Sequence, residues 1–230
     1  MPDKFFVVPF DETNDHLLRM DLTDANESLT TGVVQDIRLF TEWVSDALVK
    51  SGCRYGVGGY AEHRTVYSRS RVFDDPDGKE PRRFHLGLDI WGPQGTPVYA
   101  ILDGEVHSVA FNNRMGDYGA TIVLKHQWQG GDLYSLYGHV SFRDLDGLSE
   151  GMSVKRGDCI AHFGDIGENG HWPPHLHLQL IRDMEGMKGD YPGVCRYSER
   201  ERWLENCPDP WPFTGWPLLP EIPIILQYGE

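Results

Sequence analysis

Leucine stands at every second position in Pro174-His175-Leu176-His177-Leu178-Gln179-Leu180. A two-residue period is that of a half-buried β-strand, so Leu176, Leu178 and Leu180 point inward while His175 and His177 share the opposite face. His85-Leu86-Gly87-Leu88-Asp89-Ile90 repeats the pattern, with His85, Gly87 and Asp89 on one side of the strand it predicts. Between these stretches, Thr96–Ile101, Gly104–Val109, Ala120–Leu124, Leu133–Val140 and Cys159–Phe163 also read as strands separated by glycine turns. Such spacing predicts an all-β sandwich or barrel over residues 83–182. Gly95-Thr96-Pro97-Val98 and Gly151-Met152-Ser153-Val154 each lead into a strand through a glycine turn, a faint echo of a duplicated β unit.

The flanks have a different texture. Residues 1 to about 30 are polar and acidic and read as an irregular lead-in. Val33, Ile37, Phe40, Val44 and Leu48 then recur at helical spacing, with Thr30 or Thr31 as cap and Gly52 at the end. One helix over about 31–51 follows, its apolar stripe packing on the sheet. The passage from Tyr55 to Ser70 is glycine-rich and then polar and aromatic, and it either lines a cleft or covers it. Residues 74–80 form a polar turn. Beyond Arg182, prolines interleave with Trp203, Trp211, Phe213 and Trp216, which predicts an extended tail pinned to the core. The chain thus divides into an N-terminal extension (1–82), a β core (83–182) and a wrapping C-terminal tail (183–230).

At 230 residues, 40% hydrophobic and 24% charged, the chain can bury a real core. A net charge of −14 argues against nucleic acid and against an anionic membrane as partners. The apolar start Phe5–Val8 is short and broken by Pro9, so no secretory leader or membrane span is read, and the expected location is cytoplasmic. The cysteines Cys53, Cys159, Cys195 and Cys207 lack close pairing and read as reduced thiols, Cys159 buried in its strand. A Cys195–Cys207 bridge is conceivable, but the spacing does not demand it.

Two histidines on one strand face suit a metal site or an acid–base pair. His85 and Asp89, with one imidazole of the other strand, make a three-ligand set suited to a single Zn²⁺, leaving a fourth tetrahedral position for water. If His177 completes that set, His175 is left over, and His139 in Tyr137-Gly138-His139 stands at a strand end within reach of a cleft. Amide hydrolysis needs such parts: a metal to lower the pKa of water and polarise the carbonyl, a base, and a donor to the oxyanion. Tyr60, Glu62, Arg64, His171 and Trp172 are candidates to touch substrate. His107, His126 and His162 read as ordinary structural histidines.

His85-Leu-Gly-Leu-Asp89, Gly95-Thr-Pro-Val98, Leu136-Tyr-Gly-His139 and Pro174-His-Leu-His177 together resemble the motifs of the M23 (LytM-type, lysostaphin-like) zinc metallopeptidases. The resemblance implies a mainly β fold, an antiparallel sandwich or barrel of the duplicated hybrid motif type. It implies His85, Asp89 and His177 as zinc ligands, and His139 and His175 as the catalytic pair. The flanking motifs Tyr60-x-Glu62-x-Arg64-x-x-Tyr67, Gly189-Asp-Tyr-Pro-Gly193 and Cys207-Pro-Asp-Pro210 resemble a cytosolic subgroup whose M23-like domain sits beside kinase-like and class III aminotransferase-like domains. The expected function is a zinc-dependent peptide or amide hydrolase with an intracellular substrate. A non-catalytic zinc-dependent module binding a peptide or small amide is the alternative. A wall peptidoglycan endopeptidase is less favoured, as is a phosphoryl carrier, since Asp89 would repel a phosphohistidine.

Overall fold

The computed structural model describes residues 5–74 and 78–217. The middle of the expected turn at 74–80 and the tail prolines Pro220 and Pro223 lie outside the described residues.

In the N-terminal part, β1 (Leu17–Arg19) is followed by α1 (Thr31–Gln35), α2 (Ile37–Ser51), β2 (Tyr55–Gly58) and β3 (Glu62–His63). The expected single helix is thus two. Asp36 breaks it at φ −95° and ψ 111°, and its side chain accepts from the Arg38 and Leu39 amides, starting α2 anew. Thr30 caps α1 and Gly52, at φ 67°, closes α2, as their residue types predict. The inner face of α2 buries Phe40, Val44 and Ala47.

The core supplies β4 (Phe84–His85), β5 (Leu88–Trp91), β6 (Pro97–Tyr99), β7 (Gly104–Asn112), β8 (Gly119–Trp128) and β9 (Gly131–Val140). It continues with β10 (Ser153–Val154), β11 (Cys159–His162) and β12 (His175–Ile181). After the core come β13 (Val194–Cys195) and α3 (Arg200–Asn206), so the tail is helical in one stretch rather than extended throughout. The fold is mainly β. One eight-stranded sheet runs β1-β2-β5-β12-β9-β8-β7-β10, beside a β11-β6 pair and a β13-β4-β3 sheet.

The His85–Ile90 stretch departs from expectation. It is not one strand: β4 and β5 belong to different sheets, with the chain turning between them at Leu86-Gly87. β12 is also buried on both faces rather than half-buried, because the N-terminal extension covers the histidine side. Cys159 lies in β11 as expected but is exposed, and all four cysteines are free thiols. Burial pushes the Cys195 and Cys207 thiols up to about 12.

Two apolar clusters flank β12. Leu176, Leu178 and Leu180 join the main core with Ile90, Ile122, Val140, Phe163, Trp211 and Trp216, whereas Trp203 is half-buried in a separate cluster. On the histidine side, α2 and the extension pack Phe40, Val66, Tyr67 and Phe73 against Trp91 and Trp172. Phe40 is fully buried, its ring 6.0 Å from Trp91 and 6.5 Å from Trp172. Truncating it leaves a cavity between helix and sheet that neither can close. Phe40→Ala is therefore expected to cost about 3–5 kcal/mol in urea unfolding; a loss within about 0.5 kcal/mol would mean that the helix is only loosely docked.

Candidate metal centre

The sheet brings the site together by register. β12 lies between β5 and β9, with His177 opposite Asp89 on one side and opposite Gly138 on the other. His85 arrives from β4, across the Leu86-Gly87 turn. A Cβ at Gly87 would stand 2.5 Å from His177 Nε2, so only glycine lets the His177 ring lie over this turn. The space that the missing side chain leaves open is occupied by the His177 ring.

His139 comes by a different route. Ala120 pairs with Val140 and Ile122 with Tyr137, so Gly138 and His139 together stand opposite Thr121 in a β-bulge. His139 sits at φ 62°, uncommon for a residue with a side chain. Strict alternation along β9 would turn His139 away from the face that Gly138 shares with His177. The bulge re-aims it, leaving its ring centroid 4.2 Å from that of His175.

Neighbouring groups decide which ring nitrogen of each histidine carries hydrogen. His85 Nδ1 lies 2.8 Å from the Gly59 carbonyl, which can only accept, so Nδ1 is the donor and Nε2 keeps a lone pair. Gln179 Nε2 donates to the Pro192 carbonyl, which turns Gln179 Oε1 toward His177 Nε2 at 3.0 Å. His177 Nδ1 therefore keeps its lone pair. His85 Nε2 and His177 Nδ1 are 3.0 Å apart, and Asp89 Oδ1 lies 3.0 Å from His177 Nδ1 and 3.4 Å from His85 Nε2. Three acceptors thus face one another with no hydrogen to share. Such a cluster is repulsive until a cation enters it, and the spacings match the roughly 3.3 Å edge of a tetrahedron with bonds of about 2.0–2.1 Å. The donor set, two imidazoles and a carboxylate, fits Zn²⁺.

Asp89 Oδ2 is engaged elsewhere. Arg64 Nη1 donates to it at 2.5 Å, while Arg64 Nε lies 2.6 Å from Glu62 Oε2. Burial alone would raise the Asp89 carboxyl; the His85 ring and the Arg64 guanidinium beside it hold it well below the usual range. Gly59, at φ 97°, leaves the room in which the Arg64 guanidinium lies.

His139 and His175 stand beside this group without joining it. The Asn169 and Pro173 carbonyls each accept from Nδ1 at 2.8 Å, leaving both Nε2 atoms as free bases. His175 stacks on Trp91 at 3.9 Å between centroids. Burial lowers the pKa of both: His175 falls to about 4, and His139, with His175 beside it, is held well below the ordinary value.

A cavity of about 250 Å³ opens over these groups. Arg64 and Trp172 line it, whereas Tyr60, Glu62 and His171 do not. The Tyr60 hydroxyl donates to the Cys207 carbonyl at 2.9 Å, and Glu62 serves Arg64. His171 is exposed at φ 63° in the loop before β12. Of the remaining histidines, His126 is buried between the Asp103 carbonyl and Ser135, and His162 meets Asp144. Gln179, Asn169 and Trp91 support the site but were not singled out from sequence. Only Gln179 had a signal, its place two residues beyond His177 on the same strand face.

Residues 83–189 match the family model described as Peptidase family M23. Over 98 residues the chain is 35% identical to the DD-carboxypeptidase/endopeptidase Mpg of Neisseria meningitidis, covering 42% of this chain and 20% of that protein. Over 129 residues it is 31% identical to the L-Ala--D-Glu endopeptidase of Bacillus subtilis, covering 52% of this chain and 36% of that one. The chain thus spans about a fifth to a third of the length of these curated relatives. Among solved structures, the catalytic domain of lysostaphin from Staphylococcus simulans aligns at TM-score 0.43 and 22% identity, over 76% of this chain and 98% of that one. Among the described residues, no helix is long and apolar enough to cross a membrane.

The group of imidazoles carries a pH signature. Burial, with the Arg64 charge beside it, lowers His85 to about 4, and burial lowers His175 to about 4, against 6.5 for a free imidazole. Between those values the unfolded chain binds protons that the folded chain refuses, so stability falls as pH drops through this window. In metal-free protein the urea midpoint is expected to be lower at pH 5 than at pH 7. A midpoint unchanged across that range would mean that these imidazoles are not held neutral.

Proposed function

We propose that this chain is a zinc-dependent hydrolase of a peptide or amide bond. His85, Asp89 and His177 hold the metal, and His139 and His175 work on the substrate. The observation that carries the reading is the convergence of three lone-pair acceptors beside two further neutral imidazoles whose Nε2 atoms are free. A purely structural cluster would share hydrogens within itself; this one shares none. The match to the M23 family model supports it, and the peptidase names of the relatives agree in kind.

Zn²⁺, when bound, supplies Lewis acidity toward the scissile carbonyl and lowers the pKa of the attacking water to roughly 7. The chain's own residues supply the rest. His85 and His177 are held in one tautomer by the Gly59 carbonyl and by Gln179, and Asp89 is oriented by Arg64 through the oxygen not facing the metal. His139 or His175, neutral through burial, accepts the proton of water at Nε2 and, now protonated, passes that same proton to the departing amine. Trp91 and Asn169 fix these two rings, so little reorientation is required during turnover.

Three expectations test this. Purified protein should hold one zinc per chain by elemental analysis, and His85→Ala, Asp89→Ala and His177→Ala should each abolish binding. Gln179→Leu should weaken affinity by about 10–100-fold in chelator competition; full affinity in that variant would remove Gln179 from the account. His139→Ala and His175→Ala should keep the zinc but lose about 10²–10⁴-fold in kcat. Unimpaired turnover in both would overturn the assignment of bases.

A further inference from the structure

The five side chains of the proposed site are closed off from bulk solvent. His85, Asp89, His139, His175 and His177 are between 1% and 5% exposed. The cover is the stretch from Glu62 to Phe73, comprising β3 and two 3₁₀ turns at Val66–Arg69 and Arg71–Phe73. This roof is built into the molecule at every step. Glu62 and His63 pair with His85 and Phe84, so the strand carrying a proposed ligand is also the strand that holds the roof. The Arg64 amide donates to the Arg83 carbonyl at 2.8 Å, and the Arg64 guanidinium reaches Asp89 at 2.5 Å. Farther along, Ser70 Oγ donates to the Met115 carbonyl at 2.7 Å. Val66, Tyr67 and Phe73 are buried in the same apolar cluster as Phe40 and Trp172. Lifting the roof would expose that cluster and strand the Arg64 and Asp89 charges, each costly to leave unpaired.

With the roof in place, a cavity of about 250 Å³ remains between Tyr67, Phe73 and Trp172 above and the imidazoles below. That is smaller than the ~300–1,000 Å³ usual for small-molecule pockets and far from a groove that holds an extended chain. Among the lining residues, Arg114 and Asp190 are exposed and Arg82 and Asp117 half-buried, so charged groups of both signs reach from the cavity toward solvent. A polymer strand would need an open channel on two sides of the scissile bond. A free short peptide carries its ammonium and carboxylate close to the bond to be cut, and charged groups of both signs can meet them.

We infer that the site takes a free dipeptide-sized molecule with a single scissile amide, and that the roof excludes peptides embedded in a longer chain. The inference rests on the hydrolase reading for what is cut, but not for what fits. It is tested by calorimetry on the full zinc-loaded chain with two inert probes: a phosphinic analogue of Ala-Ala, and the same phosphinate at the centre of an octapeptide capped at both ends. The short probe is expected to bind at least tenfold more tightly. Equal or tighter binding of the octapeptide would overturn the inference, and so would failure of both probes to bind. Hydrolysis of free dipeptides is measured alongside. Tight binding of the short probe without any turnover would sink the hydrolase reading and leave the size restriction standing.

Discussion

The register of β12 between β5 and β9 is the constraint on which the site depends. Setting His177 opposite Asp89 and Gly138 places a carboxylate and an imidazole on one face, and it puts the β9 bulge beside them. A slip of one residue would turn both β12 histidines into the leucine core and the leucines toward Arg64. The fully buried Leu176, Leu178 and Leu180 oppose that slip, so the hydrophobic core and the chemistry are held by the same strand.

Around that strand the polar groups form a connected set. Carbonyls of Gly59, Asn169 and Pro173 and the amide of Gln179 each take one ring hydrogen, so every histidine presents its lone pair toward the cavity or the ligand cluster. Arg64 balances the Asp89 charge while leaving Oδ1 free. A buried set of this kind is costly if incomplete. That cost explains why the segments supplying it, the Gly58–Arg64 passage and the loop before β12, pack so closely against the core.

The N-terminal extension does more than decorate the segment that matches the M23 family model. Its α2 helix and the 3₁₀ turns build a second apolar cluster on the face of β12 opposite the leucines. A strand that would otherwise have one wet face becomes buried on both. Burial in turn lowers the pKa values of His85, His139 and His175 and closes the space above them, so electrostatics and access follow from the same packing.

Much of this was legible in the chain itself. Alternation marked the strands around His85, Asp89 and His177, because side-chain direction in a strand follows a period of two whatever the surroundings. Capping residues Thr30 and Gly52 marked the ends of the helical region. Tertiary structure decided the rest. Asp36 could end a helix or start one, and only packing made it do both. Leu86-Gly87 reads as a continuous strand by alternation, yet the sheets part there, and the His177 ring lies in the space over Gly87. His139 reached the site through a bulge that no local pattern encodes. Whether Tyr55–Ser70 lines the cleft or covers it could not be read from residue types. Arg64 suits solvent, substrate or an ion pair equally well, and it was the three-dimensional position of Asp89 that chose among them.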